Sequence, residues 1–151
     1  MKTWIHAAAG AIALLTVSAF WLSTATVELF GDAAAVTTVK NCVLAGMAVL
    51  IPAMIVAGTS GFSLGKGWKS PVVARKKWRM RIIAANGLLV LVPSAFLLSG
   101  LADAGHFDSL FTIAQAIELT AGAVNIALLS LNMRDGLSLR RKPLRLAARV
   151  Q

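Results

Sequence analysis

Four stretches of this chain are apolar over lengths that cross a membrane, and the clearest, Ile82 to Leu101, carries no charged residue. A hydrocarbon core about 30 Å thick takes about 17–25 residues of helix to span. Because lipid offers the backbone no hydrogen-bonding partner, each such stretch is constrained to be α-helical. The other three run from about Trp4 to Thr26, Cys42 to Thr59 and Asp108 to Leu131. Composition agrees: 58% of the 151 residues are hydrophobic and 14% are charged, whereas a soluble domain has about 45–50% and about 25%. The expected fold class is therefore all-α, a polytopic four-transmembrane-helix bundle over residues 1–136, followed by a basic tail over 137–151.

The first span has an alternative reading. Met1-Lys2, an apolar stretch and small residues together resemble a secretory signal peptide. Its removal would leave three spans and a periplasmic start. Against this, the run exceeds the usual apolar core of about 7–15 residues, and Trp21 stands where the belt residue of a spanning helix would stand.

Orientation follows from the cations. Lys66, Lys69, Arg75, Lys76, Lys77, Arg79 and Arg81 lie between spans two and three, and Arg134, Arg140, Arg141, Lys142, Arg145 and Arg149 follow span four. The first loop holds Glu28 and Asp32 with only Lys40, and the third holds Asp103 and Asp108. Short loops rich in Lys and Arg stay in the cytoplasm, so both termini are expected inside a bacterial inner membrane. The net charge of +9 thus points to anionic lipids at the cytoplasmic face and not to nucleic acid. Trp4, Trp68 and Trp78 fall at the inner interface and Trp21 near the outer one. The segment Val72 to Trp78, with Arg75, Lys76 and Lys77, reads as a short helix lying on the headgroups.

Within the spans, polar residues are few. Glu118 lies near the middle of span four, where a carboxylate costs roughly 2.5–3.5 kcal/mol. At about 100° per residue, Asp108, Gln115, Glu118, Gly122, Asn125 and Asn132 share one arc, a polar stripe expected to face the bundle interior. With no Lys or Arg assigned to a span, Glu118 is expected there as the neutral acid, bonded to Thr16 or Ser94. Pro52 and Pro93 sit near mid-span and predict kinks, or the broken helices of a carrier site. Gly58, Gly61 and Gly65 allow another backbone to approach, in this bundle or in a homodimer or larger complex.

By depth, His6, Asn86 and Asn125 are expected to meet near the inner surface. They form either a hydrogen-bond cluster or a cofactor site in which His6 contacts a quinone or ligates haem b, with Met80 as second ligand. The lone Cys42 excludes an internal disulfide, and no Cys or His pair has zinc spacing. Asp103, His106 and Asp108 form the only loop grouping that resembles a cation site. No nucleophile, base and orienting acid, and no phosphate loop, occurs at useful spacing.

Trp4-Ile5-His6, Ala84-Ala85-Asn86-Gly87 and Met133-Arg134-Asp135-Gly136 resemble segments of small four-helix inner-membrane proteins of bacteria. That resemblance covers most of the chain and implies location and architecture but no activity. Small b-type cytochromes share the four-helix plan, but their paired intramembrane histidines are missing here. Three functions remain from the sequence: a non-catalytic accessory, assembly or scaffold subunit; a redox module built on His6; and a proton-coupled transporter built on Glu118.

Overall fold

The computed structural model describes residues 2–67 and 70–147, with side chains from 3 to 138 inside those limits. Trp68 and Lys69 lie outside the described residues. So do the side chains of Arg140, Arg141, Lys142, Arg145 and Arg149 in the expected tail. The protein is all-helical: α1 (Lys2–Phe30), α2 (Ala33–Leu64), α3 (Pro71–Asn86), a π-helical turn (Gly87–Leu91), α4 (Val92–Asp103) and α5 (Ser109–Ala147). The third membrane-length helix is α3, the π turn and α4 taken together. Among the described residues, four helices are thus long and apolar enough to cross a membrane.

The first three of these helices begin earlier than their apolar cores, and all four run further. The second starts at Ala33, not near Cys42, because the Asp32 carboxylate accepts the Ala35 amide at 2.8 Å and caps it. The first loop shrinks to Gly31-Asp32, and Lys40 stands about 10 Å inside α2 at 1.5 Å per residue. At the far end of the bundle, α4 closes on Gly105 at φ 71°, with Gly105 N–H donating to Ala102 and His106 N–H to Leu101. This left-handed cap leaves the carbonyls of the last turn satisfied. Asp108 then caps α5, accepting from the amides of Leu110 and Phe111. Of the three residues near the α4–α5 loop that resembled a cation site, two are engaged otherwise, Asp108 in this cap and Asp103 with Asn41 Nδ2 at 2.7 Å.

The segment expected to lie on headgroups does not separate from span three. From Pro71, which suits a first helical turn, the helix continues through Arg75–Arg81 to Asp103, interrupted only by the π turn. That turn accounts for Pro93: having no N–H, and with a ring that crowds the carbonyl four residues back, proline is accommodated by one wide turn in which Val92 N–H bonds Gly87 O. Pro52 sits inside an unbroken α2.

Neighbours around the bundle are α1 with α2, α2 with α3/α4, α3/α4 with α5, and α5 with α1. Among the described residues, the diagonals α1 to α3/α4 and α2 to α5 make no close backbone approach. Two apolar clusters fill the interior. One holds Val36, Leu98, Ala102, Phe111 and Ala114 near the short acidic loops; the other centres on Val17, Ile83 and Leu129, with Leu50, Met54 and Met80 against it. A polar belt separates them.

Candidate functional site

The belt is built on the inner stripe of α5. Gln115, Glu118 and Asn125 are all buried, as is Gly122, because spacings of three and four residues return to one helix face; buried Asn132 continues the stripe beyond the second cluster. Facing them, α2 buries Val36, Lys40, Val43 and Met47, again at spacings of four and three. Lys40 is therefore an inward-facing residue of α2, only 1% exposed. Its Nζ donates to Glu118 Oε2 at 2.6 Å.

This corrects the expectation for Glu118. The carboxylate does have a cationic partner, and Thr16 and Ser94 are not its acceptors. Hydropathy places Lys40 in the first loop, because the second apolar run begins only near Cys42. Since α2 and α5 are diagonal, the lysine's four-carbon stem crosses the bundle axis to reach its partner. A charge alone at this depth would be costly, whereas the two together present no net charge to the apolar clusters on either side.

Glu118 Oε2 also accepts from Gln115 Nε2 at 3.4 Å. Gln115, 5% exposed, keeps its Oε1 buried without a partner among the described residues. Lys40 uses one of the three N–H bonds of its ammonium. On α1, Glu28 is near enough for the charges of both Lys40 and Glu118 to act on it. Toward the acidic loops, Ser99 donates to Asn41 Oδ1 at 2.5 Å and Thr37 to Ala102 O at 3.2 Å. The site thus offers one cation, one anion, an unpartnered amide oxygen and a second carboxylate at its rim.

The other expected cluster does not assemble as a unit. Asn86 and Asn125 do meet: Asn86 Nδ2 donates to Asn125 Oδ1 and to Ala121 O, each at 2.9 Å, across the seam of α3 and α5. His6 instead lies on the seam of α1 and α2. Its Nδ1 is 3.1 Å from both Ala57 O and Ser60 Oγ, and its ring occupies the notch left by Gly61. Because Ser60 Oγ already donates to Val56 O, Nδ1 is assigned the proton and Nε2 the lone pair. Met80 lies one turn along the same α2 face, 3.8 Å from where a Cβ on Gly58 would stand. His6 and Met80 thus pack over Gly61 and Gly58, one turn apart on α2, while the asparagines are committed elsewhere.

Trp21 packs across the seam of α1 and α5. Since α1 continues to Phe30, the indole lies well inside the helix, donates to Leu119 O at 2.8 Å and covers Gly122. Trp4 and Trp78, by contrast, are exposed. Of the expected basic interface, Arg75 is exposed, Lys76 is half-buried, and Lys77 Nζ donates to Gly65 O at 2.8 Å, tying α3 to the end of α2. Comparison with family models, with curated proteins and with solved structures gives no match for this chain.

Proposed function

We propose that the protein is a membrane scaffold or accessory subunit, whose interior holds four helices in fixed register and whose outer faces meet lipid and partner proteins. The observation that carries this reading is the Lys40–Glu118 bond at 2.6 Å. It joins two helices whose backbones make no close approach among the described residues, and each charge is consumed by the other. A bacterial inner membrane with both termini cytoplasmic suits the distribution of charge, because Lys66, Arg75 to Arg81 and Arg134 gather at one end while five of the six carboxylates lie toward the other.

A second reading, a proton-coupled carrier centred on Glu118, is favoured by the unpartnered Gln115 Oε1 beside the ion pair. Buried polar atoms without partners mark places where water or a proton can enter. One experiment separates the two. The protein is reconstituted in liposomes containing a pH dye and compared with Glu118→Gln and with the apolar pair Lys40→Met/Glu118→Leu. The scaffold reading expects no proton leak above empty liposomes from any of the three, with the apolar pair still folded. A wild-type leak abolished by Glu118→Gln would replace it with the carrier.

A further inference from the structure

The basic end of α3 contains an arrangement that the interior does not use. Asp135 on α5 is paired with Arg79 at 2.7 Å and approached by Arg134 Nε at 3.9 Å, and Arg75 also acts on it electrostatically. Lys76 reaches over the same helix, with its Nζ 3.0 Å from where a Cβ on Gly136 would stand. Among the described residues, Asp135 is the only Asp or Glu in this half of the molecule: the other five of the sequence's six are Glu28, Asp32, Asp103, Asp108 and Glu118. Four cations thus share one anion. Arg79 is spent on it, leaving Arg75, Lys76 and Arg134 in excess.

What lies below these cations on α3 identifies what they attract. Arg75, Trp78, Ile82 and Ala85 are all exposed, and spacings of three and four residues align them as one stripe along the helix. The stripe continues into Leu88 and Leu89 on the π turn, both widely exposed. Read downward, it runs from guanidinium to an amphipathic indole to aliphatic side chains, the order of a phospholipid from phosphate through glycerol to acyl chain. A free phosphate would satisfy the cations alone and leave the apolar part of the stripe unused.

We infer that the α3–α5 seam at the basic end is a binding site for one anionic phospholipid, its phosphate held by Arg75, Lys76 and Arg134 and its acyl chain lying along Trp78, Ile82, Ala85 and Leu89. The full chain, purified and delipidated in mild detergent, is titrated with phosphatidylglycerol and with phosphatidylcholine of the same acyl chains, and bound lipid is counted by native mass spectrometry. Phosphatidylglycerol is expected to bind more tightly. Arg75→Gln and Arg134→Gln should each weaken it roughly fivefold. Both side chains are exposed, so folding is not at stake. Trp78→Ala should weaken both lipids, and Lys66→Gln, an exposed cation on the α2 side of the bundle, should change neither.

Equal affinity for the two lipids would overturn the inference. So would a loss in Lys66→Gln as large as that in Arg75→Gln, since the attraction would then come from the general field of the basic end. Displacement of phosphatidylglycerol by inorganic phosphate at comparable concentration would overturn the lipid assignment in favour of a soluble phosphate compound.

Discussion

Lys40 could be reached from the sequence by a route that hydropathy alone does not follow. The apolar positions of α2 recur at Val36, Val43, Met47, Leu50, Met54 and Ala57, and spacings of three and four carried through that series include Lys40. Apolar averaging rejected this segment because a lysine interrupted it. Burial accepts it because Glu118 neutralises the charge. The inward arc of α5 was legible from periodicity, whereas the contact between the two stripes was not, because pairing across a diagonal depends on the order of helices around the axis. Lys40→Met leaves the Glu118 carboxylate alone in the apolar interior and should cost about 3 kcal/mol, measured by reversible unfolding in detergent. Glu118→Gln should cost less than Glu118→Leu, because the amide still bonds Gln115. Lys40→Met/Glu118→Leu together should return to within about 1 kcal/mol of wild type, since an apolar pair fills the space without stranding a charge.

At the scale of elements, the four spans were legible and their ends were not. Caps at Asp32 and Asp108 and the Gly105 turn fix where helices begin and stop, and these are single-residue signals beside long apolar runs. Nor does hydropathy distinguish a helix lying on headgroups from one that continues into an apolar span; Arg75–Arg81 join span three because nothing between Pro71 and Asn86 breaks the backbone ladder. Helix contacts set by glycine give a contrast to test. At Gly122 an added Cβ would stand 3.0 Å from Trp21 Cδ1, and the indole is held by its bond to Leu119 O. Gly122→Ala should therefore destabilise by about 1–2 kcal/mol and shift the tryptophan emission. At Gly10 nothing among the described residues lies within 4 Å of that position, so Gly10→Ala should be neutral or stabilise by up to about 1 kcal/mol through helix propensity.

Across the whole molecule, charge and hydrogen bonding are sorted by height. Carboxylates and helix caps gather where α1 meets α2 and α4 meets α5, and cations gather at the opposite end, where α2 meets α3 and α5 emerges. If this polarity sets orientation, alkaline phosphatase fused after Gly105 should be active in cells, and the same enzyme fused after Ser138 should be inactive. Reversal of that pattern would invert the molecule without altering its fold. His6 and the Asn86–Asn125 pair lie on separate seams, so His6→Ala should leave the Asn86 amide resonances in their wild-type positions, whereas Asn125→Ala should move them.

The bond between Lys40 and Glu118 also sets a timetable for assembly. The two residues are separated by 78 positions, so a ribosome adding about 5–20 residues per second delivers the glutamate roughly 4–16 s after the lysine. During that interval the nascent second helix holds an unmatched ammonium and has reason to remain beside the insertion machinery instead of moving into lipid. Release of the chain is thereby coupled to emergence of its last helix, and a truncation before Glu118 should be retained at the translocon and degraded.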